Sequence, residues 1–143
     1  MKISTKGRYA LRMMIEFGLN LDQCTKISQV AARQGISDKY LEQIVTLLHR
    51  AGYVRSSRGA QGGYMLTLKP EEYTVGMILR QTEGSLSPVA CLDDDAKSGE
   101  RASYCAALTV WKQLKDAIDQ VVDNVTLADL IEEQKKRPHD NLM

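Results

Sequence analysis

The chain is poor in the residues on which most catalytic and disulfide-stapled scaffolds are built. Two histidines and three cysteines occur in 143 residues. His49 falls in an apolar-periodic helical pattern and His139 in a polar tail, so no Ser–His or Cys–His pair is evident. Phosphate-binding loop, HExxH and CxxC motifs are all absent. These absences argue against an enzyme. An odd cysteine count argues against a closed disulfide framework, and Cys24, alone between two predicted helices, reads as an ordinary, partly buried thiol. Long hydrophobic runs are missing too. Arg12, Glu16 and Arg50 interrupt the most apolar stretches, so nothing is long enough to span a bilayer. The opening Met1-Lys2-Ile3-Ser4-Thr5-Lys6 carries no apolar core of a secretory signal. The expectation is a cytoplasmic protein without membrane association.

What is present is 43% apolar residues with mixed charge, enough for one domain, or for a small domain with an appended oligomerisation element. The net charge of +1 hides an asymmetry: residues 1–64 carry a net +6, residues 65–143 a net −5. A basic half beside an acidic half suggests that the first faces a polyanion.

Periodicity predicts a helix from Thr5 to about Leu21, with Tyr9, Met13, Phe17 and Leu21 recurring every four residues. Lys6, Arg8 and Arg12 near its start oppose the helix dipole, a cost that a nearby phosphate would offset. A short helix, Ile27 to Gln34, ends at Gly35; Ser37 caps the next, Asp38 to about Ala51, and Gly52 suits its C-cap. Two helices joined by a glycine-containing turn make a helix-turn-helix pattern, a weak signal alone. The residues that follow strengthen it. Tyr53–Ser56 and Tyr64–Leu68 read as paired strands around a glycine-rich tip, Arg58-Gly59-Ala60-Gln61-Gly62-Gly63. A hairpin in that position is a wing. Thr74 caps a further helix, Val75 to about Glu83. A loop-like stretch from Gly84 precedes a long helix, about Ala102 to Asn124. Its residues Ala107, Trp111, Leu114, Ile118 and Val121 form a heptad seam for pairing with another helix. Thr126-Leu127-Ala128-Asp129 resembles a capping box opening a last short helix. The fold class is therefore mainly α with a small β-hairpin wing. A winged helix-turn-helix over 1–83 is followed by a sensor loop over 84–101 and a dimerisation helix and tail over 102–143.

Three segments make the pattern specific. They are Lys2-Ile3-Ser4-Thr5-Lys6-Gly7-Arg8-Tyr9-Ala10, Ile36-Ser37 leading into Tyr40-Leu41-Glu42-Gln43, and Arg58-Gly59 followed by Gly62-Gly63-Tyr64. In this order and spacing the chain resembles the Rrf-two family of bacterial winged-helix transcription regulators (the IscR, NsrR and CymR type). The likeness continues through Ser87-Pro88-Val89 and Thr126-Leu127-Ala128-Asp129-Leu130, nearly the whole chain. It implies a homodimer, joined by the long helices, that binds double-stranded DNA at a roughly palindromic operator, most often as a repressor. Ser37, Lys39, Tyr40, Glu42, Gln43 and Thr46 then lie on the recognition helix. Glu42 would accept from cytosine N4 and Gln43 would pair with adenine; a solvated helix surface is the alternative for Glu42, and the family position favours the DNA role. Arg58 at the wing tip would enter the minor groove. Lys6, Arg8, Lys39 and Arg55 would contact phosphates; Tyr9 and Tyr64 suit packing beneath the wing better than the alternative of phosphate contact through their hydroxyls.

Many relatives of this type carry three cysteines before the long helix, in one subgroup spaced C-x7-C-x5-C, and hold an iron–sulfur cluster with them. Here Cys91 and Cys105 match the first and third positions, and Gly99 stands at the middle one. Leu108 stands where some relatives have a histidine. A cluster needs about four ligands, normally thiolates, so a site on Cys91 and Cys105 needs Asp93, Asp94, Asp95 or a second protomer to complete it. The pair would otherwise form a redox-sensitive disulfide, if their Cα atoms approach within about 7 Å, or be inert. A further alternative is a regulator of cysteine or sulfur metabolism controlled by a regulatory protein partner without a cluster. A protein-interaction module that binds no DNA remains the rival class.

Overall fold

In the computed structural model, which describes residues 2–92 and 106–137, Ser4 opens the first helix. Its Oγ accepts from Gly7 N at 3.1 Å, and α1 runs Thr5–Leu19. Ala10, Met13, Met14 and Phe17 are buried on one face, and each large side chain removed from water contributes about 1.5–3 kcal/mol. The helix stops short of the expected Leu21. Asn20 Nδ2 donates back to the Glu16 carbonyl at 3.1 Å, which satisfies an end group and lets the chain turn. Leu21 consequently lies outside the core, half exposed.

Helix α2, Ile27–Gln34, ends at Gly35 in the left-handed region with φ 68°. Ser37 Oγ then accepts from Tyr40 N at 3.2 Å and starts α3, Asp38–Arg50. Leu41, Ile44, Val45 and Leu48 turn inward. Gly52, at φ 81°, reverses the chain into the wing. Strands β1, Val54–Ser57, and β2, Gly63–Leu66, pair antiparallel with Val54 opposite Leu66. Both strands differ by a residue or two from the sequence expectation, and at the base of the hairpin the reason is Tyr73. Its buried hydroxyl accepts from Thr67 N and Leu68 N at 3.1 and 3.0 Å and donates to Tyr53 O at 2.6 Å. That hydroxyl shares Thr67 N with Tyr53 O, which is 3.3 Å away, and takes Leu68 N outright, where the return strand would have continued.

The hairpin also has a third edge. Thr25 and Tyr64 exchange both backbone hydrogen bonds at 2.9 Å, tying the wing to the chain just before α2. A Cβ at Gly63 would strike the Thr25 backbone and one at Gly62 the Ser57 carbonyl. These two glycines are therefore required by contacts inside the molecule, in addition to any approach of a partner.

After a single 3-10 turn, Pro70–Glu72, Thr74 caps α4, Val75–Glu83. A second such turn, Ala90–Leu92, follows Pro88. The long helix α5 is described over Ala107–Val122. The capping box at Thr126 is present, with Thr126 Oγ1 accepting from Asp129 N at 3.1 Å and Asp129 Oδ2 accepting from Thr126 N at 3.0 Å. It opens α6, Leu127–Lys135. Val75 N bonds Val125 O, and Leu127 N bonds Tyr73 O, so α4 and α6 start side by side. Arg80 of α4 reaches Asp119 and Asp123 at the end of α5 at 3.1 and 2.6 Å. Lys115, hydrogen-bonded to Asp119 at 2.8 Å, holds that carboxyl below the usual carboxylate range, with Arg80 adding to the effect. The Cys91 side chain, Asp93–Asp95, Gly99, Cys105 and the expected start of the long helix at Ala102 lie outside the described residues. No helix among the described residues is long and apolar enough to cross a membrane.

Helix α6 returns to α1, where Ile131 rests on Gly18. A Cβ at Gly18 would overlap the Ile131 side chain, chiefly at Cδ1. Gly18→Ala should therefore destabilise the fold by about 1–3 kcal/mol in urea unfolding, the usual cost of overpacking. Ile131→Val, which removes Cδ1, should recover most of that loss; a double variant as unstable as Gly18→Ala alone would refute the contact.

Candidate nucleic-acid interface

The outward face of α3 is polar because its inward face takes the apolar residues. Lys39, Glu42, Gln43 and Thr46 are exposed, as is the capping Ser37. Thr46 Oγ1 donates to the Glu42 carbonyl at 2.7 Å, leaving the hydroxyl oxygen able to accept. Tyr40 is different. It is half-buried, its ring edge-on to Tyr9 with centroids 6.0 Å apart, and the Arg12 guanidinium lies 5.0 Å from the Tyr9 ring. Much of the Tyr40 ring packs under the helix start rather than outside it.

Arg58 stands exposed at the wing tip, where Gly59 adopts φ 99°. Arg55, on the exposed side of β1, has Nη2 3.8 Å from Met65 Sδ. Of the residues singled out by sequence, Glu42 and Arg58 line one groove between α3 and the wing. The same groove is lined by Lys26 and Ser28 of the α2 start, Asp38, and Ser57 of β1. Sequence reasoning missed these four. Lys26 and Ser28 were legible as a cation and a hydroxyl at a helix N-terminus, a site that favours anions; nothing in the sequence showed that the wing folds back against them. Lys6 and Arg8 lie elsewhere, in the first turn of α1. Arg8 Nη2 donates to Thr5 Oγ1 at 3.2 Å.

The adverse dipole at the start of α1 has an internal remedy. Glu83, the last residue of α4, accepts from both the N–H and the Oγ–H of Ser4. One anion at that helix start is therefore supplied by the chain itself.

At its other end, α2 is fixed to α1 by a buried acid. Glu16 has no exposed surface. Its Oε1 accepts from Gln34 Nε2 at 3.4 Å, and its Oε2 stands 3.0 Å from Arg33 Nη2 without hydrogen-bond alignment. Burial pushes the Glu16 carboxyl up from its ordinary value, and Arg33 and the Gln34 bond oppose this only in part.

A helix-turn-helix with a wing, a polar recognition face and a cation at the wing tip is the geometry of a DNA reader. The family assignment follows from a match over residues 3–133 to a family model described as Rrf2, iron-dependent transcriptional regulator. The chain belongs to the Rrf2 family. It is 42% identical over 131 residues to the HTH-type transcriptional regulator CymR of Bacillus subtilis, covering 91% of this chain and 89% of that protein. It is 36% identical over 132 residues to the regulator IscR of Aliivibrio salmonicida, covering 92% and 77%. The solved structure of CymR, the global cysteine regulator of B. subtilis, superposes with a TM-score of 0.78 at 41% identity, over 93% of this chain and 98% of that one. This Rrf2 protein is accordingly a DNA-binding transcription regulator with a winged-helix fold, not an enzyme.

Stability should report the buried acid under this regulator's recognition unit. A raised folded pKa means that the contribution of neutral Glu16 is fully present below the ordinary value of 4.5 and is lost as pH rises through the elevated folded value. Glu16→Gln cannot titrate. Its Tm should fall less than that of the natural protein between about pH 4.5 and neutrality; parallel pH profiles for the two proteins would refute the shift.

Proposed function

We propose that this Rrf2 regulator acts as a homodimer, pairing along α5 and binding a roughly palindromic operator as a repressor. The observation that carries the DNA mode is the shared groove: Glu42 of α3, Arg58 of the wing and Lys26 of the α2 start line one surface. Glu42, Gln43 and Thr46 face the major groove, where donor and acceptor patterns distinguish all base pairs. Arg58 reaches the adjacent minor groove. Ser37, Lys39 and Arg55, with Lys6 and Arg8, contact phosphates and set register without reading sequence, and Tyr40 supports the start of α3. The division of labour is a reader over residues 1–83, a signalling segment over 84–101 and a pairing element over 102–143.

The homodimer is supported by α5 itself. Val110, Leu114 and Val121 are 50%, 43% and 62% exposed, an uncovered apolar surface on one helix that a second copy would bury. Trp111 and Ile118 border the same strip, half-buried. A two-fold partner there places the recognition helices about 34 Å apart, one turn of DNA.

For the signal, the donor set does not fit an iron–sulfur cluster within one chain. Cys91 and Cys105 supply two thiols where about four ligands are needed. Cys24, a free thiol, follows the far end of α1. Ser4, before that helix, is bonded to Glu83, and the 15 residues between span about 22 Å. We therefore favour a regulator of cysteine or sulfur metabolism, responding through a protein partner or through the redox state of Cys91 and Cys105. The likeness to CymR supports this reading.

Arg58→Ala should weaken binding to a selected duplex site or relax its sequence preference, by about 1–3 kcal/mol if the side chain makes a well-placed base contact, while sedimentation still shows a dimer. Unchanged affinity and preference would remove the wing from the mechanism. Anaerobically purified protein should be colourless and free of iron; visible absorbance with stoichiometric iron would restore the cluster reading.

A further inference from the structure

Glu83 has no part in the DNA reading, yet its carboxylate ties the end of α4 to the start of α1. Ser4 N donates to Oε1, and Ser4 Oγ donates to Oε2 at 2.8 Å. The same Oγ accepts from Gly7 N, so the carboxylate fixes the residue that caps α1. Helix α1 has no acid of its own in its first turn. Gly7 makes the approach feasible, because a Cβ there would press on Glu83 Oε1 and Thr82 Oγ1. Directly after Glu83 the chain turns at Gly84, φ 73°, into the segment leading to Cys91. Lys2, Ile3 and Glu83 line one small cavity with Pro88 of that segment and with Ile118 and Val122 of α5.

We propose that Glu83 is a positioning residue for DNA binding: it holds the first turn of α1, and with it Lys6 and Arg8, in fixed relation to segment 84–92 and to α5. The inference rests on the DNA-binding reading above. A carboxylate near a helix N-terminus is stabilising, and hydrogen bonds to an ionised acceptor are the stronger kind. Without Glu83, the first turn holds cations against an uncompensated dipole and frays. The two cations then have to be ordered when DNA binds, which costs affinity. A displacement at Gly84, or of α4 through the Arg80 pairs with α5, is passed to the same cations through one side chain that never touches DNA.

The test uses the full chain and a duplex selected by the natural protein from a random-sequence pool. Affinity is measured at several salt concentrations for the natural protein, Glu83→Ala, Glu83→Gln, Ser4→Ala and the Ala–Ala double variant. Exchange of the Gly7 and Arg8 amides and the sedimentation mass are followed in parallel. Glu83→Ala should bind about tenfold more weakly and exchange those amides faster, with the dimer mass unchanged. Its plot of log K against log salt should be shallower by about 0.9 for each phosphate that is no longer neutralised. Glu83→Gln should lie between, since one amide oxygen replaces two acceptors. The double variant should lose less than the sum of the two single losses, because Ser4 Oγ and Glu83 share one hydrogen bond, while the cap on Gly7 N is lost wherever Ser4 is replaced. Natural affinity and slope in Glu83→Ala would overturn the proposal. So would a lower affinity with an unaltered slope, which marks general destabilisation. If the natural protein itself selects no duplex, the DNA-binding reading fails first and visibly, and the positioning role falls with it.

Discussion

Burial of one face of α1 is the constraint on which everything else depends. Ala10, Met13, Met14 and Phe17 make a surface sealed from water. Helix α3 packs on that surface with its own Leu41, Ile44, Val45 and Leu48. The outward face of α3 is polar as a consequence of this packing. Once the apolar stripe is committed inward, Lys39, Glu42, Gln43 and Thr46 have only the outside left. The opposite end of the chain returns to the same helix through Ile131 over Gly18. A single helix thus carries the recognition unit and the C-terminal helix together, and neither has a separate core.

On that apolar base, polar side chains set angles rather than supply the bulk of stability. The Tyr73 hydroxyl fixes where the wing leaves the body by holding Tyr53, Thr67 and Leu68 at once. Glu16 holds the end of α2 through Arg33 and Gln34, at the cost of a buried acid. The Arg80 pairs with Asp119 and Asp123 align α4 with α5. These last groups are about a third exposed or more, so solvent and salt screen them; they direct α5 more than they stabilise it. Each fastener joins one element of the reader to another or to α5, which is what a regulator needs if a signal near α5 is to be felt at the DNA surface.

Much of the fold was legible because its signals are local. The helix start at Ser37, the glycine stop at Gly35 and the caps at Thr74 and Thr126 involve residues within four positions of each other. Strand ends were less legible, since the return strand stops where Tyr73 intercepts it. The candidate site was half legible. Glu42 and Arg58 could be named from pattern and resemblance, with Asp38 one turn before Glu42 and Ser57 beside Arg58 in the chain, but Lys26 and Ser28 join them only because the wing folds onto the α2 start through Thr25 and Tyr64.

The amino-acid order alone determined the helices and their caps, the hairpin, the apolar seam of the long helix and the concentration of positive charge in the first 64 residues. Those features arise between near neighbours, where the period of side chains and the end groups of a helix decide. Tertiary structure alone decided that Glu83 sits on Ser4, that Glu16 is sealed under α2 and that Ile131 closes on Gly18. Each of these joins residues distant in the chain, and packing brings them together in ways that no local period encodes.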